Sequence, residues 1–191
     1  EHADIVETQR RRGTSQVEQL FADPRALVDL PEGLVVYHQM ARRFEHGDKD
    51  RVTNRAFEAH MQLLPGDVVR YEHQRSSTLK VWWFSSINPR QRWLHEHAGA
   101  EGALRLELVP RRGLYISAAT AHDLDLGPMD ERELILPAGT VWRVVGIRDV
   151  VFSDIRDEKR VSSERIRTVL MVELHPDAPD ADQALLLSYE H

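Results

Sequence analysis

Residues 130–142 read DERELILPAGTVW, with Glu131 and Glu133 two apart and followed by the apolar run Leu134, Ile135 and Leu136. Side chains on a strand alternate between faces, so this spacing sends both carboxylates to one side and Arg132 to the other. Two acids in one patch resist simultaneous ionisation unless cations or hydrogen-bond donors offset them, and one pKa then rises. Such a pair suits acid/base chemistry. The same Glu-x-Glu spacing also suits the solvated face of an ordinary strand, so the elements around it have to decide.

A chain of 191 residues, 41% hydrophobic, can bury one good core, and a single domain over 1–191 is expected. A formal net charge of -6 argues against coating nucleic acid through bulk charge, although it leaves room for a local basic groove. With no cysteine there is no disulfide framework, thiolate nucleophile or Cys-containing zinc site. No apolar run approaches the ~20 residues that span a bilayer, so no membrane partner is expected. The chain opens without Met in a polar segment, EHADIVETQRRRG, as a piece cut from a longer polypeptide would.

The elements that must hold the acidic pair follow from periodicity. Residues 1–65 read as a helical lead-in and lobe: a turn with Val17, Leu20 and Phe21, another starting at Ala26, Leu27 and Leu30, an amphipathic helix over 34–44, and a second over 50–64 ended by Pro65 and Gly66. After Gly66 the period changes to two. Strands are expected at 68–73, 79–86, 103–109, 114–117, 132–136, 140–152 and 165–174, with one short helix opened by Asn88 and Pro89. The fold class is therefore α+β, with N-terminal helices, a mostly antiparallel β core over 66–174 and a tail over 175–191 whose Leu185–Leu187 piece docks as a strand or turn.

Three pieces occur in order: Arg70 in GDVVRYEH, the pair Ser85 and Ser86 in VWWFSSINP, and Glu131-x-Glu133 opening an apolar run that ends in Pro and Gly. Their order resembles the Arg-Ser-Glu class of mono-ADP-ribosyltransferases, the bacterial exotoxin and effector group, over roughly residues 66–174. The resemblance implies a two-sheet ADP-ribosyltransferase core, NAD as substrate and no metal. It makes Glu133 the carboxylate that faces the oxocarbenium-like ribose as the nicotinamide bond breaks. Glu131 then orients and deprotonates the acceptor, which in this family goes with arginine. Arg70 anchors the NAD pyrophosphate through its bidentate fork. Ser85 hydrogen-bonds the catalytic Glu, and either Ser85 or Ser86 can be the leading serine, since the family shows Ser-Thr-Ser where this chain has Ser85, Ser86, Ile87.

Taken singly, these residues have plainer uses: Arg70 in a cross-strand ion pair, the serines capping the following helix, and Arg111 and Arg112 solvated in a tight turn instead of reaching a phosphate. The resemblance also implies a secreted or delivered toxin that acts in the cytoplasm of a target cell. A target protein is its acceptor, and an immunity protein covers the cleft by analogy. Modification of RNA or DNA, plain NAD hydrolysis, and a noncatalytic binding module are the rivals.

Overall fold

A computed structural model of the chain describes residues 21, 26–41, 48–79, 103–116, 133–156 and 159–187. Among these, ten strands run as β1 (Val28–Asp29), β2 (Val36–Ala41), β3 (Val68–Tyr71), β4 (Arg75–Thr78), β5 (Ala103–Val109), β6 (Arg112–Ile116), β7 (Glu133–Leu136), β8 (Val141–Arg156), β9 (Lys159–Glu173) and β10 (Leu185–Leu187). One helix, α1 (Asp48–Met61), and a short 3-10 turn, Ala181–Gln183, complete them.

The strands hydrogen-bond in the order β1-β6-β7-β4-β2-β5-β9-β8-β3-β10. All pairings are antiparallel except β5 with β9 and β10 with β3. Residues far apart in that order share one core. Leu134 and Leu136 of β7, Val36 of β2 and Leu104, Leu106 and Leu108 of β5 pack in the same cluster as Val69 and Tyr71 of β3 and Trp142 and Val144 of β8. The sheet must therefore curl so that its β3 end faces its β4–β7 region across the apolar interior, and the guanidinium of Arg75 on β4 accordingly lies 3.7 Å from the Tyr71 ring centroid. The register shift between Val144 and Gly146 on the long β8 supplies an extra residue of the kind that bends a strand.

Helix α1 covers the core with Ala56, Phe57 and His60, three positions on one helical face. The chain then turns, with the Leu63 amide donating to the His60 carbonyl, so Leu63 is buried and Leu64 exposed. The helix expected over 50–64 has already ended at Met61.

Two expectations are corrected. Residues 36–41 form strand β2, not part of a helix over 34–44, because Val36 and Met40 also fit a period of two and both enter the core. The run Val35, Val36, Tyr37 favours a strand locally, and pairing with β5 over six residues completes it. The segment expected to start a helical turn at Ala26 instead holds β1, paired with β6. The expected turn at 17–21, apart from Phe21, and the helix after Asn88 lie outside the described residues.

Gly113 on β6 is required by space. A Cβ there would stand 2.9 Å from Cγ and Cδ1 of the buried Leu134. Gly113→Ala is expected to lower stability by ~1–3 kcal/mol, as overpacking does, measurable as a reduced urea midpoint at unchanged slope.

Candidate active site

Glu133 is the first residue of β7. Leu134 and Leu136 of this strand are buried in the main core, so Glu133 and Ile135 lie on the opposite face. Ile135 belongs to a separate apolar cluster with Leu114, against which Phe21, Ala26 and Leu27 pack. Glu133 is only partly buried.

Glu133 is paired in register with Thr78 on one side and Ile116 on the other, and Thr78 is in turn paired with Tyr37. Tyr37, Thr78 and Glu133 thus stand in one row across β2, β4 and β7. The strand next to the acid carries the hydroxyl run Ser76, Ser77, Thr78. Ser77 is buried and donates its hydroxyl to the Leu134 carbonyl at 2.7 Å, which ties β7 down one residue after the carboxylate.

This hydroxyl strand was missed by reading the second strand as 79–86. The available signal was the triplet Ser76-Ser77-Thr78 itself, a run of short hydroxyl side chains that follows a charged turn. Ser85, Ser86 and Glu131 lie outside the described residues.

The structure does not bring Arg70 to Glu133. Arg70 sits on β3 between β8 and β10, with five strands between it and β7. Its neighbours Val69 and Tyr71 enter the core, so Arg70 faces outward from the wall opposite that of Glu133, and its Nη2 donates to the Ala181 carbonyl at 2.9 Å. Sequence order placed the two in one motif, whereas the curl of the sheet puts the core between them. Arg111 and Arg112 stand at the start of β6, and both are exposed. The Arg111 amide donates to the Glu173 carboxylate at 2.7 Å, and Arg112 pairs with Asp29 at 3.3 Å. Burial pushes the Glu173 carboxyl up, opposed by the backbone amides of Arg111 and Arg112.

The face that carries Glu133 is polar further along the sheet. Register continues the row from Tyr37 to Glu107 on β5 and Leu170 on β9. The neighbouring row holds Arg105, Thr168 and Arg148 on β5, β9 and β8. Glu107 accepts from Arg105 at 2.7 Å and from Arg148 at 3.0 and 2.8 Å, and the guanidinium carbon of Arg105 lies 5.8 Å from the Tyr37 ring centroid. Burial pushes the Arg105 pKa down while Glu107 opposes the shift.

No protein-family model matches the chain, and no curated protein matches it. Among solved structures it is similar to the Vis toxin, an ADP-ribosyltransferase from Vibrio splendidus, at 12% identity over 84% of this chain and 56% of that one, with a TM-score of 0.44. It is also similar to the enzymatic component C2-I of the C2 toxin from Clostridium botulinum, at 14% identity over 76% and 32% with a TM-score of 0.42. A third is C3larvin, an ADP-ribosyltransferase toxin from Paenibacillus larvae, at 10% identity over 78% and 64% with a TM-score of 0.40. The chain spans less than two thirds of each.

Proposed function

We propose that this chain is a single mono-ADP-ribosyltransferase domain of the Arg-Ser-Glu class, which takes NAD and transfers ADP-ribose to a protein arginine, with release of nicotinamide. The observation that carries this reading is the position of Glu133. It opens an apolar strand, faces away from the core, and stands in register beside the hydroxyl strand Ser76–Thr78.

In this mechanism the bond from the ribose C1′ to the pyridinium nitrogen breaks, and its electron pair neutralises the nicotinamide that leaves. The Glu133 carboxylate faces the cationic ribose, an interaction stronger in the transition state than in the ground state. The acceptor nitrogen then bonds to C1′ and gives up a proton. A guanidinium, with a pKa above ~12, needs a base for that step, and Glu131 two residues earlier takes that part. Ser85 or Ser86 remains the expectation for a hydroxyl that orients Glu133, while β4, which carries Ser76, Ser77 and Thr78, is the strand paired with β7. Arg70, whose Nη2 donates to the Ala181 carbonyl, is given no role in this reading. The setting is that of a toxin or effector domain delivered into a target cell, with an immunity protein as its natural inhibitor.

Purified protein mixed with labelled NAD and a cell extract tests the reading. Nicotinamide release with label on arginines is the expected result. Label on RNA or DNA overturns the acceptor, and no release at all overturns the enzyme. Glu131→Gln is expected to abolish transfer to arginine while leaving NAD hydrolysis in part, because water needs less help than a guanidinium; equal loss of both activities would remove Glu131 from the acceptor step.

A further inference from the structure

We propose that the open edge of β10 is a docking strip for an extended, basic segment of a partner protein, which adds to the sheet as a further strand and sets a long cationic side chain between Asp67 and Asp180. The inference stands apart from the NAD reading. Strand β10 ends the strand order and pairs with β3. In a strand the N–H and C=O of one residue point to one side and those of the next residue to the other. The Leu187 carbonyl accepts from the Glu72 amide on the β3 side. Leu185 and Leu187 therefore turn their main-chain groups toward β3, and Leu186 turns its own toward the open edge, where no strand among the described residues meets them. Edges left bare in this way are blunted in natural sheets by charge, proline or a bulge. This one carries three leucines.

Side chains extend the strip on both faces. Leu187 is buried in the core, whereas Leu185 and Leu186 are 58% and 50% exposed, Leu185 beside Val69 on the core side and Leu186 beside Arg70 on the outer side. At Leu185 a cleft of about 470 Å³ opens between residues 66–68 and the 3-10 turn, and Asp67 and Asp180 both line it. Asp67 accepts the Leu64 amide at 2.7 Å through Oδ2, which leaves Oδ1 for a further donor, and Leu64 itself is 62% exposed. Asp182 is exposed on the same 3-10 turn, and Glu72 is exposed past the other end of the strip. Against these four carboxylates stand two guanidiniums that are already engaged, Arg143 with Asp180 and Arg70 with the Ala181 carbonyl. The edge is thus apolar along its length and negative at both ends, which fits a strand with apolar residues at its centre and Arg or Lys at its ends. It does not fit a second copy of this chain. Two β10 strands meeting across a two-fold axis run antiparallel, so Asp67 and Asp180 of one copy face Glu72 of the other, acid against acid.

The test is fluorescence anisotropy titration of the whole chain with a labelled peptide of alternating valine and threonine that has arginine at both ends, beside the same peptide with glutamate at both ends. The arginine peptide is expected to bind about tenfold more tightly than the glutamate peptide, or better, and to weaken as salt is raised. Bound peptide should slow hydrogen exchange at the Leu186 amide, which strand addition pairs and a side-chain contact alone does not. Leu186→Lys and Asp67→Asn should each weaken the arginine peptide about tenfold, the first by repulsion and the second by loss of an anionic partner. Both positions are exposed, and the Asn oxygen still accepts from the Leu64 amide, so both variants should keep the wild-type melting temperature. No binding of the arginine peptide, equal binding of the two peptides, or binding that leaves exchange at Leu186 unchanged overturns the docking strip. Sedimentation velocity of the chain alone covers the other occupant: a dimer that Leu186→Lys dissolves assigns the edge to a second copy and overturns the basic partner.

Discussion

Glu133→Gln is expected to lower nicotinamide release from NAD by ~10² or more. The amide keeps the size of the side chain and removes the charge that faces the cationic ribose, so the loss belongs to the transition state and appears in kcat. The fold should survive. Leu134 and Leu136 hold β7 in the core, the Ser77 hydroxyl holds the Leu134 carbonyl, and none of these depends on the Glu133 charge. Steady-state release assays beside a thermal melt check both halves. Unchanged release in a folded variant would remove Glu133 from the chemistry.

A second large effect is expected in acid, and it comes from His60. This residue is fully buried on α1, with Nδ1 2.7 Å from the Ala56 carbonyl and Nε2 2.8 Å from the Tyr71 hydroxyl. A carbonyl only accepts, so Nδ1 carries the proton of the neutral ring, and the Tyr71 hydroxyl donates to Nε2. The Tyr71 ring stacks on His60 and has the Arg75 guanidinium over it. Burial first, and the Arg75 charge second, lower the His60 pKa from 6.5 to about 3. Protonation of the native protein is thus resisted where the unfolded chain takes up a proton readily.

The sign follows from linkage. Above pH 6.5 both states leave the imidazole neutral, and the full stability is present; as pH falls from 6.5 toward 3 the unfolded state binds the extra proton and stability is lost. At about 1.36 kcal/mol per pH unit, His60 alone should remove ~2 kcal/mol between about pH 6.5 and 5. Urea unfolding of wild type and His60→Gln across that range isolates the contribution from that of the carboxylates. The expected result is a flatter pH dependence in the variant, whatever its stability at neutral pH. Parallel pH profiles would show that His60 titrates alike in both states.

Much of the architecture was legible in the chain itself, because local rules suffice where the hydrophobic period is clear. The strands at 68, 103, 133, 141 and 165, and the helix ending near 61, follow from alternation, from 3.6-residue spacing and from the breaks at Pro65 and Gly66. Glu133 was legible for the same reason: a carboxylate preceding three buried aliphatics has its face set by the pleat. Residues 34–41 fit both periods, and only β4 and β5, one on each side, decided for a strand. The partners of Glu133 were illegible because they depend on strand order. Arg70 and Ser77 are seven residues apart, yet the curled sheet places one outside the far wall and the other beside β7. Arg105, Glu107 and Arg148, separated by up to 43 positions, meet only because β9 lies between β5 and β8 in the sheet. Sequence spacing reports which face of a strand a residue takes; which strand lies beside it is decided by the burial of one shared core, and that is a property of the whole fold.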